Sequence, residues 1–116
     1  MSASAPLTFS QGEDVFYDFS LVEADETTPI SLVGATIQSQ IRSGYNSPLT
    51  AEFSVTYTDL INGKFRLSLT NEQTSSITVN KGDKQKYLYD VEMTQQDGTK
   101  KQLMRGTIVV TREITR

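Results

Sequence analysis

Tyr87-Leu-Tyr-Asp-Val-Glu-Met93, followed by Asp97-Gly98 and then by Leu103-Met-Arg-Gly-Thr-Ile-Val-Val-Thr111, decides the fold class. Tyr87, Tyr89, Val91 and Met93 fall on alternate positions, the period of a strand with one buried face. Asp-Gly between two such runs is a strong short-range signal for a tight hairpin turn. With Asp97 and Gly98 as the two central turn residues, Val91 faces Met104, Tyr89 faces Gly106 and Tyr87 faces Ile108. Directly opposed residues share a face of a sheet, so this register sets apolar against apolar and lays Tyr89 over a glycine.

The same period of two runs through most of the chain. Val15–Val22 carries Val15, Tyr17, Phe19 and Leu21 on one face, and Ile30–Val33 is a short extended piece ending at Gly34. Ala35–Arg42 points Ile37, Ser39 and Ile41 one way and Thr36, Gln38, Gln40 and Arg42 to solvent. Ala51–Thr58 sets Ala51, Phe53, Val55 and Tyr57 inward, and Lys64–Leu69 does so with Phe65, Leu67 and Leu69. Between these last two, a one-residue slip would flip every side chain. The pattern therefore selects a three-residue loop, Ile61 to Gly63, opposing Tyr57 to Leu67, with Gly63 left-handed. Thr70-Asn-Glu-Gln73 has the form of a capping box and predicts one helical turn over Asn71–Ile77. Six or seven short strands with regular turn signals are the pattern of an all-β, antiparallel sandwich or barrel. No stretch of ten or more residues has helical periodicity, which argues against a βαβ arrangement.

At 116 residues and 12.9 kDa the chain is the size of one domain. A domain this long buries roughly two thirds of its unfolded surface, enough for one core. After Met1, residues 1–12 hold only Leu7 and Phe9 as large apolar side chains and read as an extended arm, frayed or docked on a neighbour. The sandwich is then expected over residues 13–116. Met1–Pro6 lacks the basic start and apolar run of a signal peptide, and no stretch is apolar enough to cross a bilayer as a helix.

Cysteine and histidine are both absent. No disulfide or thiolate site is possible, and the usual general base and commonest metal ligand are missing. A serine nucleophile still needs a base, and no Ser-x-x-Lys sequence occurs. Asp90 and Glu92 share an outward strand face, the default for carboxylates. Glu23-Ala-Asp-Glu26 lacks the spacing and glycine of a calcium loop. These readings predict no catalytic residue, no metal, no cofactor and no enzyme. A net charge of −3 argues against a nucleic-acid binder, and no membrane partner is expected.

The charge is unevenly spread. No Lys or Arg precedes Arg42, whereas Glu13, Asp14, Asp18, Glu23, Asp25 and Glu26 are acidic. From Lys81 onward the chain carries Lys81, Lys84, Lys86, Lys100, Lys101, Arg105, Arg112 and Arg116. Acidic and basic strands side by side in one sheet account for this, as does a dipolar protomer stacking head to tail on copies of itself. Of Tyr45, Tyr57, Tyr87 and Tyr89, the last three sit in inward registers, and Tyr45, in the Ser43–Pro48 loop, is the one placed to touch a partner. Leu7, Phe9, Tyr45, Arg112 and Arg116 are the expected protein-interface residues.

Gly34-Ala-Thr-Ile-Gln-Ser-Gln-Ile-Arg42, Leu49-Thr-Ala-Glu-Phe-Ser-Val55, Gly63-Lys-Phe-Arg-Leu-Ser-Leu-Thr70, Tyr89-Asp-Val-Glu-Met93 and Gly106-Thr-Ile-Val-Val-Thr111, closing with Glu113-Ile-Thr-Arg116, resemble small structural proteins of tailed bacteriophages. The group is similar to the immunoglobulin-like N-terminal domain of the baseplate upper protein. The resemblance spans roughly Glu13 to Arg116 and consists of strand patterns in fixed order. It implies an immunoglobulin-like β-sandwich of about seven strands, used without catalysis as an attachment module in many copies. It further implies assembly in the host cytoplasm into a virion with other phage structural proteins as partners; it leaves the location in the particle open, and the tail, baseplate or fibre is the expected place. A head decoration protein clamping capsid subunits is the structural alternative. A carbohydrate-binding adsorption module, which would need an outward aromatic platform, is another.

Overall fold

In a computed structural model the chain is described over residues 3–4, 6–80 and 82–113. Among the described residues it forms strands β1 (Ala3–Ser4), β2 (Leu7–Ser10), β3 (Val15–Ser20), β4 (Thr36–Arg42), β5 (Leu49–Glu52), β6 (Ser54–Asp59), β7 (Lys64–Leu69), β8 (Lys84–Thr94) and β9 (Lys100–Thr111). A single helical turn, α1 (Asn71–Ser76), lies between β7 and β8. β8 and β9 make the expected ribbon, with Val91 opposite Met104, Tyr89 opposite Gly106 and Tyr87 opposite Ile108. The turn differs. Gln95 N–H donates to the Thr99 carbonyl at 2.7 Å, so three residues, Gln96 to Gly98, span the gap, with Gly98 left-handed at φ 91°. That loop shifts the pairing by one residue, and a bulge between Val91 and Glu92 shifts it back. The two irregularities cancel, so the core register survives a longer loop.

β8 pairs on its other side with β4, and β4 with β5, while β1 and β2 add to the free edge of β9. The second sheet has the order β3-β7-β6. The inward residues of both sheets, led by Phe65, Leu67, Ile41, Val91, Ile108 and Val110, are almost wholly removed from solvent. In immunoglobulin lettering, β3, β4, β5, β6, β7, β8 and β9 are B, C, C′, D, E, F and G. Sheet B-E-D then faces sheet G-F-C-C′, the variable-type arrangement. The fold is an immunoglobulin-like β-sandwich.

Two local features belong to that architecture. Tyr87, at the start of the F strand, donates its hydroxyl to the Thr78 carbonyl at 2.5 Å, making the corner tyrosine of such sandwiches. In antibody domains a disulfide joins strands B and F. Here Tyr17 of β3, Phe53 and Tyr89 of β8 form a chain of edge-to-face rings across the interior. Their centroids are 6.2 and 6.5 Å apart, with planes at 82° and 75°.

Several expectations are corrected. Residues 7–10 of the predicted arm form β2, which runs parallel to β9 with Leu7 opposite Ile108 and Phe9 opposite Val110. Phe9 is 3% exposed and belongs to the core, and Leu7 packs against it. The edge of β9 was the nearest unpaired row of backbone donors and acceptors, and the two apolar side chains hold the segment there. The expected strand Ala51–Thr58 is two strands. Its chain crosses from one sheet to the other at Phe53, whose side chain points into the interior while its N–H donates to the Ser39 carbonyl at 2.9 Å. Ile30–Val33 is irregular, yet Leu32 is a fully buried plug. With β1, also in the predicted arm, these changes raise the strand count from about seven to nine among the described residues.

The β6–β7 register is two residues away from the one predicted, with Tyr57 opposite Phe65 and Val55 opposite Leu67. A shift of two preserves the faces. Gly63 is left-handed as predicted, at φ 69°. A Cβ there would strike the Ile30 carbonyl oxygen, so the close approach of two loops requires glycine. Tyr57, expected inside, lies at the sheet margin, where its hydroxyl accepts from Ile37 N–H at 2.9 Å. The capping box on α1 is present: Thr70 Oγ1 accepts from Gln73 N–H and Gln73 Oε1 from Thr70 N–H.

Candidate interaction surfaces

Three connections meet at one end of the sandwich. The Leu21 N–H donates to Gly63 O at 2.9 Å and the Leu32 N–H to Leu60 O at 2.8 Å, tying the β3–β4 connection to the β6–β7 turn. Gly34 lies against the Gln96 side chain of the β8–β9 turn. The acidic loop is rigidly closed. Asp25 Oδ1 accepts from the Thr27 and Thr28 N–H groups at 2.9 Å each, and Oδ2 accepts from Thr28 Oγ1 at 2.5 Å. These bonds, those to Thr28 foremost, pull the Asp25 carboxyl down to about 2. Asp59 is held low in the same way, by Asn62, whose side-chain amide donates to it at 2.8 Å.

On these two ordered loops four aliphatic side chains face water: Val22 at 40%, Val33 at 61%, Leu60 at 42% and Ile61 at 71% exposure. Single exposed aliphatic residues are ordinary, whereas several gathered on adjoining loops mark an interaction site. Glu23, Asp25 and Glu26 are exposed on the same β3–β4 connection as Val22 and Val33. Sequence reading missed it because period-two patterns describe strands, and the burial of Leu32 beside the exposure of Val33 follows only from the loop's path.

A second surface lies on the outer face of the larger sheet. It is a depression of about 190 Å³ lined by Gln40, Arg42, Gly44, Tyr45, Leu88, Tyr89, Asp90, Gln102 and Arg105. Gln40 of β4, Asp90 of β8 and Arg105 of β9 form one cross-strand rung. Arg42 is fixed by donating to the Ser47 carbonyl at 2.8 Å and to Gln40 Oε1 at 3.0 Å. Tyr45, from the β4–β5 loop, is 79% exposed at the margin.

The outer face of the smaller sheet carries a closed surface cluster. Arg66 pairs with Asp18 through Nε–Oδ1 at 2.7 Å and a second bond at 3.1 Å, and its guanidinium sits 4.2 Å above the Phe16 ring. The Arg66 bond holds the Asp18 carboxyl below its ordinary range.

The expected interface residues are thus scattered. Phe9 is interior and Leu7 half-buried, while Tyr45 stands exposed. The Arg112 side chain is occupied within its own chain, donating to Gly82 O at 2.9 Å and to Val79 O at 2.7 Å, where it braces the turn before β8. Arg116 lies outside the described residues. Lys84 and Arg112 do fall at the end opposite the acidic loop, but Asp83, Glu113 and Glu72 lie among them. Among the described residues no group of three or more acidic side chains is placed to hold a metal ion.

No family model and no curated protein matches the chain. Among solved structures it is similar to murine CRIg, with 13% identity over 93% of this chain and 92% of that one and a TM-score of 0.38. The assignment of the sandwich rests on the strand order itself.

Proposed function

We propose that this chain is a non-catalytic assembly module of a tailed-bacteriophage particle, present in many copies at the tail, baseplate or fibre attachment. The strand motifs that resemble phage structural proteins support this reading. The observation that carries it is the apolar tip: Val22, Val33, Leu60 and Ile61 held outward on loops that hydrogen bonds keep closed. A rigid apolar patch loses little conformational entropy when a partner covers it. The acidic residues of the same connection, Glu23, Asp25 and Glu26, set orientation, because charges beside an interface steer and align partners more than they hold them. The module binds through this tip, and β2 seals the edge of the larger sheet.

The test is a doubly substituted chain, Val33→Asp with Ile61→Asp, supplied in place of the native copy during particle assembly. Both side chains are exposed, so circular dichroism and the melting temperature stay close to native, and occupancy in purified particles, counted by mass spectrometry, falls by about tenfold or more, the cost of roughly 1.4 kcal/mol of lost contact. Normal occupancy of the variant removes the tip from the interface. Electron microscopy of particles carrying a labelled chain locates it, and a signal on the head replaces the tail with capsid decoration.

A further inference from the structure

We propose that the depression on the outer face of the larger sheet binds an acidic saccharide, a sugar ring bearing a carboxylate. At about 190 Å³ the depression is smaller than the roughly 300–1,000 Å³ of pockets that enclose drug-sized ligands, and it suits one ring. Leu88 lines it, together with the rung Gln40, Asp90 and Arg105. That rung sets an amide, a carboxylate and a guanidinium next to one another, about 5 Å apart from strand to strand. A sugar offers adjacent hydroxyls that both donate and accept, and this mixed row satisfies both.

The charges select the ligand further. Arg105 faces Asp90 directly across the ladder, yet no ion pair joins them, and the Arg105 guanidinium meets no polar partner among the described residues. Arg42 is held in place by Ser47 O and Gln40. Two guanidinium groups against one carboxylate leave the depression positive in a chain whose net charge is −3. A guanidinium matches a carboxylate through two parallel hydrogen bonds. Asp90 repels a phosphate monoester, which is mostly a dianion with no hydroxyl to offer it at neutral pH, but accepts from a sugar hydroxyl. Tyr45 adds an exposed ring at the margin, a flat amphipathic surface for the apolar face of a pyranose.

The site is independent of the tip and of particle assembly. It is tested with trigalacturonate, and with neutral galactotriose as comparison, titrated into the isotope-labelled full chain and followed by amide chemical shifts. Trigalacturonate produces saturable shifts around residues 40–45, 88–90 and 102–106, and galactotriose binds about tenfold more weakly or worse, the expected loss of one charge-assisted pair. Arg105→Ala lowers the affinity by a similar factor. Arg105→Lys, which keeps the charge and loses the fork, recovers only part of it. Tyr45→Ala weakens binding without moving the fold, as both side chains are exposed. Arg66→Ala, on the other sheet, leaves binding unchanged. The proposal is overturned by an absence of saturable shifts at millimolar trigalacturonate, by equal binding of galactotriose, by unaltered binding in Arg105→Ala, or by an equal loss in Arg66→Ala, which would mark diffuse charge attraction.

Discussion

The phenol of Tyr87 does two things at once. Its ring is 3% exposed, and its hydroxyl meets the one carbonyl, Thr78 O, that the turn after α1 turns toward it. Tyr87→Phe keeps the ring and frees that carbonyl. Thr78 is exposed and its carbonyl can turn to water, so the loss is that of an ordinary hydrogen bond, about 0.5–1.5 kcal/mol, and the urea midpoint falls while the slope of the transition stays the same. Asp25 acts in the opposite setting, fully in water, where its bonds to Thr27 and Thr28 shape a loop. Its folded value, about 2, lies below the ordinary 3.8, so the contribution of its charge is complete above 3.8 and is lost as the pH falls toward 2. The amide resonances of Thr27 and Thr28 therefore shift with a midpoint near pH 2, and in Asp25→Asn that titration disappears. Neither role was legible in advance. A tyrosine in an inward register predicts burial, not the carbonyl it meets, and Glu23-Ala-Asp-Glu26 shows charges without showing which of them closes the loop.

At the scale of elements, local grammar proved readable where one segment decides the outcome. Thr70 and Gln73 cap α1 as their spacing requires, and the alternation in β8 fixed its pairing with β9 through a loop one residue longer than predicted. Pairing that depends on distant chain was less accessible. β2 joins β9 across about a hundred residues, and nothing in Leu7-Thr-Phe9 names its partner. The division of Ala51–Thr58 into β5 and β6 follows from Phe53, whose ring is needed between Tyr17 and Tyr89. That row of rings joins the strands that a disulfide links in antibody domains. Each edge-to-face pair contributes about 0.5–1.5 kcal/mol beyond area burial, against 2–4 for a typical disulfide. Phe53→Ala opens a cavity between both contacts, and the expected loss is about 3–5 kcal/mol. Thermal unfolding measures it, and a loss below 1 kcal/mol would show that the neighbouring rings collapse into the space.

Over the whole molecule, the fold class was legible because a single face alternates through nearly every strand and the faces agree. The candidate surfaces were not, because the tip and the depression exist only where loops or strands distant in sequence come together. The interior carries a pH dependence of its own. Burial, then Glu13 and Tyr89, push Tyr17 up to about 12, and burial raises Tyr87 and Tyr89 as well. The unfolded chain ionises these phenols near the ordinary value of 10, and the folded one resists. Stability is therefore complete below pH 10 and declines as the pH rises toward 12. Urea midpoints measured across that interval fall steadily, and less steeply in Tyr17→Phe.

The parallel pairing of β2 with β9 has a mechanical consequence. Leu7 enters its strand opposite Ile108, three residues short of the end of β9, whereas Thr111 leaves at that end, beside Ser10. A pull applied between residues 7 and 111 drags the two neighbours lengthwise in opposite directions. Every rung of that ladder then bears load together instead of opening one after another. Such a seam yields only when all its bonds fail at once, a useful property in any assembly that has to withstand tension along the axis of its strands.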